Sequence, residues 1–356
     1  MTMPESTRSS PDGKKDEERM RSPGRHGDAL PGLEGGSLRV GIIGLGSMGL
    51  PMSTRLSGTH EVTGFDPSSA RAALAAERGL HVVESAMAAA QDADIVVLAV
   101  RDMPQVQEVL SGTGGVAQAL PHGAIVVLTS TIGAPGAQWV AGLLAGRSIQ
   151  MVDFPVSGGP VRAASGNLAG FVGGAPDVVG RVSPVLDLLA STVVVVGPNP
   201  GDGQAMKTVN QLLCGIHIAA AAEALSLAAR LGLDLPKALN ALSEGAAASF
   251  MLADRGPRIV EAIKGHDPDV LSALAIFEKD MGIVRQAGHL AGAALPVTSA
   301  AEQLYRLGAI AGLSAADDSA IVRLLLWEDA LVGVAAARGR PPRSRMGMPD
   351  PGSAVS

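Results

Sequence analysis

Gly44-x-Gly46-x-x-Gly49 follows the short apolar run Leu38-Arg39-Val40-Gly41-Ile42-Ile43, and Asp66 ends the next such run 17 residues after Gly49. This is the spacing of a dinucleotide-binding turn. Gly44 permits the tight turn, Gly46 lets backbone N–H groups approach a pyrophosphate, and Gly49 lets the helix pack closely on the strand. The helix N-terminus then meets the phosphate charge with unpaired N–H groups and its dipole. Ser47 and Met48 complete the turn and join the candidate cofactor residues. Asp66 is placed to accept hydrogen bonds from ribose hydroxyls and to repel a 2′-phosphate, which favours NAD. Arg71, a helical turn or so beyond, leaves NADP possible. The same residues also fit plain turn glycines and an aspartate capping a helix before Pro67.

Lys207 is the residue best suited to move a proton. It lies in Gly203-Gln204-Ala205-Met206-Lys207-Thr208-Val209-Asn210-Gln211, at the start of an apolar stretch that runs to Leu231. Oxidising an alcohol with a nicotinamide removes hydride from carbon and needs a base on the oxygen. A lysine opening an apolar helix is partly desolvated, which lowers its pKa towards the range a base requires. Asn210 and Gln211, three and four residues on, share its helical face and offer uncharged hydrogen bonds to a carboxylate or hydroxyl. On these residues alone, a lysine snorkelling at a helix end fits as well.

Such groups need a scaffold. Apolar runs at Leu38–Ile43, Glu61–Phe65, Val82-Val83, Asp94–Val100, Ala124–Leu128, Ile149–Asp153 and Thr192–Val196 alternate with helical patterns. Short apolar runs between helices predict an α/β fold: a doubly wound parallel sheet covered on both faces, a Rossmann domain over residues 37–200. The pattern changes at Gly197-Pro198-Asn199-Pro200-Gly201. Residues 201–335 predict an all-helical domain for substrate and oligomer contacts. Its helices are Gln204–Leu231, Pro236–Ser243, Phe250–Ile263, Leu271–Ala287, Val297–Ala311 and Asp317–Ala335. Residues 1–36 and 336–356 carry mixed charge, Pro, Gly and Ser with few large apolar side chains, and read as disordered extensions.

Composition narrows the partners. A net charge of −6 offers nucleic acid no long-range attraction. A single cysteine, Cys214, excludes an intrachain disulfide framework and fits a reducing, cytoplasmic setting. The longest apolar stretch, Leu212 to Leu231, is interrupted by His217, Glu223 and Arg230, so it reads as a buried helix rather than a membrane span. No residues cluster at metal-ligand spacing; Asp317-Asp318 reads as a helix N-terminal acid pair. His217 and His289 read as core or interface residues. Broad apolar faces in the helical domain point to a homodimer or homotetramer.

Four segments occur in one order: the Gly44 turn, Asp153-Phe154-Pro155-Val156-Ser157-Gly158-Gly159, the Lys207 segment, and Phe277-Glu278-Lys279-Asp280. In this the chain resembles the β-hydroxyacid dehydrogenases, whose members include 3-hydroxyisobutyrate dehydrogenases, tartronate semialdehyde reductases and L-threonate dehydrogenases. The resemblance covers roughly residues 38–334. It implies an NAD(P)-dependent dehydrogenase acting on a small 3-hydroxy acid, with Lys207 as general acid and base and Gln211 as its amide partner, at a position where many members carry Asn. It also implies that Ser157, Gly158 and Gly159 bind the substrate carboxylate end, with Ser130 nearby. Val100, Arg101, Thr131 and Lys279 are implied as further cofactor contacts, and Asp280 as a buttress for Lys279. Gln211–Ala224 and Ser249–Arg255 are most similar to the L-threonate branch, which suggests a sugar acid. The rivals, an imine reductase on the same architecture and a non-catalytic dinucleotide-binding relative, usually lack the lysine.

Overall fold

The computed structural model describes residues 36–326. The two expected terminal extensions therefore lie outside the described residues, apart from Gly36.

Strands β1 (Arg39–Ile43), β2 (Glu61–Phe65), β3 (His81–Val82), β4 (Ile95–Leu98), β5 (Ile125–Leu128) and β6 (Gln150–Asp153) form a parallel sheet ordered β3-β2-β1-β4-β5-β6. Ile95-Val96-Val97-Leu98 and Ile125-Val126-Val127-Leu128 are buried at every position, as central strands covered on both faces must be. Alternate residues feed two cores: Val40, Ile42, Val97, Val127 and Val152 on one face, Ile43, Val96, Leu98, Val126 and Leu128 on the other. Helices α1 (Gly49–Ser57), α2 (Ser69–Glu77), α3 (Ala86–Ala90), α4 (Met103–Ser111) and α5 (Gly133–Ala145) connect these strands.

Beyond β6 the parallel expectation is corrected. The chain breaks at Phe154-Pro155, resumes as β7 (Val156–Ser157), turns through α6 (Gly159–Ala164) and returns as β8 (Leu168–Gly173), antiparallel to both β6 and β7. Only residues 158–167 separate β7 from β8, too few for the crossover of a dozen or more residues that a parallel return requires. Glycines within Leu168–Gly173 hide this strand from an apolar-run reading. Helix α7 (Pro176–Leu189) then leads to β9 (Ala190–Gly197), parallel to β8.

Helix α8 (Asp202–Arg230) is 29 residues long, about 43 Å at 1.5 Å per residue. Its first turns pack on α5 and β8, and the rest builds a third core with α9 (Leu235–Glu244), α10 (Phe250–Ile263), α11 (Leu274–Leu290) and α12 (Pro296–Ile310). Ile218, Ala222, Leu225, Ile259, Phe277, Met281 and Tyr305 fill that core. Tyr305 stacks on Phe277 and donates its hydroxyl to the Gly215 carbonyl at 2.9 Å. By length and composition α8 is apolar enough to cross a membrane, yet half of its most apolar window is buried inside the protein.

The helix expected over Asp317–Ala335 is a 3-10 segment, Asp318–Leu325; the part beyond residue 326 lies outside the described residues. Its opening acids are anchored rather than solvated. Asp318 pairs with Arg255 and Asp317 with Arg258, both at 3.0 Å, and Asp317 also accepts the Leu271, Ser272 and Ser319 N–H groups. These pairs pin the segment to α10.

Candidate active site

Two buried polar residues fasten α8 to the sheet. Asp153, ending β6, accepts the N–H groups of Gly201 and Gln204 at 2.8 and 2.7 Å, satisfying donors that the helix start leaves unpaired. Burial nevertheless pushes its carboxyl up to about 6, outweighing those two donors. Gln204 donates to the Ser130 carbonyl at 2.9 Å and accepts from the Ile132 and Gly133 N–H groups, both at 3.1 Å. Sequence reasoning gave neither residue a role. The available signal was a charged or amide residue inside an apolar run, since a buried polar group needs partners.

Lys207 follows one turn along α8. It is 5% exposed, and no described residue accepts a hydrogen bond from its Nζ. Burial lowers its pKa to about 8, with the nearby Asp280 carboxylate opposing the shift and the Lys279 ammonium adding to it. An amine titrating there exists in both forms near neutrality, as proton exchange with an alcohol requires.

A chain of polar side chains runs past this lysine. Asn210 Nδ2 donates to Gln211 Oε1 at 2.8 Å and lies 3.4 Å from Ser157 Oγ and 3.5 Å from Cys214 Sγ. Gln211 Nε2 donates to Asp280 Oδ2 at 2.5 Å. The other carboxylate oxygen, Oδ1, is buried with no donor aligned on it, although Lys279 Nζ is 2.8 Å away. Lys279 instead donates to the Thr131 carbonyl at 2.7 Å. The expected substrate turn and the expected Lys-Asp pair, far apart in sequence, are thus the two ends of one network.

Ser157 closes β7, and Gly158 and Gly159 turn the chain into α6. Their φ values of +139° and +76° are left-handed, and a Cβ on Gly158 would press on Arg162 and Leu168 at 3.1 Å. Among the described residues, no acceptor takes the N–H of either glycine, so both remain for a ligand.

The Gly-rich turn fits a dinucleotide by the same test. Gly44 has φ +98°, and a Cβ there would lie 2.6 Å from the Ala99 carbonyl oxygen. At Gly46, by contrast, a Cβ would meet only Arg71, at 3.9 Å, among the described residues. Among the described residues the N–H groups of Gly46, Ser47 and Met48 have no acceptor, and Ser47 is exposed. Val100 lies beside Gly44. Asp66 accepts the Leu45 and Ser68 N–H groups, both at 2.9 Å, and Arg71 Nη1 is 3.5 Å from it. Oδ1, which accepts only the Ser68 N–H among the described residues, keeps a second acceptor site for a ribose hydroxyl.

Several expected contacts are redirected. Ser130 is buried and donates its hydroxyl to the Leu98 carbonyl at 3.2 Å, so it faces the sheet rather than substrate. Thr131 offers its carbonyl to Lys279, which donates to it at 2.7 Å. Arg101 is largely exposed and pairs with Asp102 at 2.9 Å. Gln211 donates its amide to Asp280 on α11. His289 is exposed at the end of α11, not in a core.

Two family models match. The NAD binding domain of 6-phosphogluconate dehydrogenase covers residues 39–197, and the NAD-binding domain of NADP-dependent 3-hydroxyisobutyrate dehydrogenase covers residues 201–325. The chain is 37% identical over 294 residues to an L-threonate dehydrogenase of Escherichia coli K12, spanning 82% of this chain and 95% of that one. A crystal structure of a 3-hydroxyisobutyrate dehydrogenase from Salmonella typhimurium matches with a TM-score of 0.75 and 35% identity, over 81% of this chain and all of the other. An imine reductase from Pseudomonas sp. shares the fold at 20% identity and a TM-score of 0.54, over 82% of this chain and all of the other.

Proposed function

The chain belongs to the β-hydroxyacid dehydrogenase family, NAD(P)-dependent oxidoreductases of small hydroxy acids, and within it we propose a dehydrogenase of a sugar acid of the L-threonate kind, with Lys207 as general base. The observation that carries this reading is the buried Lys207 amine, without a described acceptor, one turn from the Asn210–Ser157 contact.

The Gly46, Ser47 and Met48 N–H groups would hold the pyrophosphate of the dinucleotide, and Asp66 its ribose, favouring NAD over NADP. The bound nicotinamide supplies the hydride acceptor. The chain's own residues do the rest. The Ser157 hydroxyl and the Gly158 and Gly159 N–H groups hold the substrate carboxylate as an anion nest. Asn210 Oδ1, for which no described donor competes, accepts a substrate hydroxyl beside the one that will react, which leaves the reacting hydroxyl's proton directed at Lys207. Lys207 Nζ, as the free amine, removes the hydroxyl proton; in the reverse direction its ammonium returns it. Gln211 and Asp280 act from behind, fixing Asn210 and holding Lys207's pKa up. The L-threonate dehydrogenase relative supports a polyhydroxylated acid, and Asn210 and Ser157 supply amide and hydroxyl partners for the additional hydroxyls. Imine reduction shares only the fold with this chain.

A homo-oligomer belongs to the proposal. Val209 and Leu213, 54% and 50% exposed on α8, suit cover by a second copy.

The test is a panel containing L-threonate, 3-hydroxyisobutyrate and their three- and four-carbon analogues, read by absorbance of reduced nicotinamide with NAD and NADP in turn. Turnover of L-threonate with NAD above the others is expected. No turnover of any hydroxy acid with either cofactor would overturn the reading.

A further inference from the structure

Among the described residues, Arg162 is a cation without an anion. It lies on α6, directly after the Ser157-Gly158-Gly159 turn, and its Cβ and Cδ stand 3.1 Å from where a Cβ on Gly158 would be. The stem of the side chain therefore lies on the substrate turn itself. Its Nε donates to the Asn167 carbonyl at 2.7 Å, which sets the plane of the guanidinium. From the helical domain, Phe250 at the start of α10 presents its ring to that plane, with the guanidinium carbon 5.9 Å from the ring centre. The ring is otherwise largely open, since Phe250 is 54% exposed.

Apart from Lys207, assigned above to proton transfer, two other cations of the region are committed. Arg255 is paired with Asp254 and Asp318, and Lys279 is held by the Thr131 carbonyl and Asp280. Arg162 makes no ion pair among the described residues, and its two terminal nitrogens have no described acceptor. A hydroxy acid brings a full negative charge to a turn that offers only one hydroxyl and two N–H groups, all neutral. A planar guanidinium fixed beside that turn supplies the missing charge, with donors spaced for two carboxylate oxygens.

We propose that Arg162 is a substrate-binding residue whose terminal nitrogens engage the carboxylate held at Ser157, Gly158 and Gly159, with Phe250 as the platform that limits the guanidinium's swing. The proposal rests on the hydroxy-acid dehydrogenase reading above, of which it names the charge-recognising residue.

The experiment compares full-length wild type, Arg162→Gln and Arg162→Lys on L-threonate and on its uncharged amide, with NAD. For Arg162→Gln, KM for the acid rises about tenfold or more through loss of a charge-assisted contact. Its kcat and its KM for NAD stay near wild type, and the amide is turned over as well as by wild type. Arg162→Lys recovers part of the acid's affinity, because it keeps the charge but loses the fork. Equal losses on acid and amide, which a merely structural role produces, overturn the proposal; so does an unchanged KM for the acid. Either result, with wild type active on the acid, leaves the dehydrogenase reading standing. A wild type inactive on every hydroxy acid brings down both.

Discussion

Gln211 on α8 and Asp280 on α11 are joined by a 2.5 Å hydrogen bond from amide to carboxylate. Asp280 is 2% exposed and accepts only, so it turns the Gln211 amide nitrogen towards itself and leaves Gln211 Oε1 to receive Asn210. One buried charge thereby orients two amides and acts on the pKa of Lys207.

The pH dependence of oxidation should expose that charge. Free-amine Lys207 is the active base, so kcat/KM rises with pH through its pKa, about 8. Asp280→Asn removes the carboxylate that favours the ammonium, and the half-maximal pH moves down. Lys279→Gln removes a repelling cation, and it moves up. Superimposable profiles for the three proteins would show that Lys207 does not set the limb.

Lys207→Ala should lower turnover by about a thousandfold or more, the upper range for a proton-transfer group. Binding of reduced nicotinamide, followed by its fluorescence, should not change, because Lys207 lies on α8 and the pyrophosphate site on the Gly46 turn. Near-normal turnover in this variant would remove the lysine from the chemistry.

Asp66→Asn should exchange cofactor preference. The carboxylate that repels a 2′-phosphate disappears, and Arg71, 3.5 Å from it, is released to pair with that phosphate. We expect kcat/KM to fall about tenfold with NAD, through loss of a charge-assisted hydrogen bond, and to rise with NADP. Parallel changes with both cofactors would mean that Asp66 only supports the turn.

Asp153→Asn should destabilise the protein by about 1–3 kcal/mol, because one carboxylate accepts two N–H groups and an amide offers a single oxygen. The sign with pH is specific. The folded carboxyl titrates at about 6 against an ordinary 3.8, so the native state holds the proton more tightly and stability falls as pH rises across that window. Urea midpoints measured through this range should show that slope in wild type and lack it in the variant.

Much of the fold was legible in the residues because its signals are local. Ile95–Leu98 and Ile125–Leu128 are short continuous apolar runs of the kind a doubly covered strand produces, and α10 spans the residues its periodicity predicts. The strand β8 was not legible, because its glycines leave room for other elements: a Cβ on Gly170 would meet the Phe154 ring at 2.0 Å. The last helix failed for a related reason. Asp317 and Asp318 look like ordinary helix-opening acids until Arg255 and Arg258 claim them from α10.

At the site, the residue types and spacing alone pointed to a dinucleotide turn with Asp66, with turn glycines and a capping aspartate as the alternative, and marked Lys207, Asn210 and Gln211 as one helical face; each rests on separations of a few residues within one element or one strand–turn–helix unit. Only the tertiary structure decided which amide serves the cleft and which serves the scaffold. Gln211 and Asp280 are 69 residues apart, and Ser157 and Asn210 are 53 apart. Their pairing depends on how far a side chain reaches once α8, α11 and β7 are packed, which no periodicity encodes. Ser130 was settled the same way: its hydroxyl follows the nearest buried carbonyl, Leu98, and so turns from the substrate to the sheet.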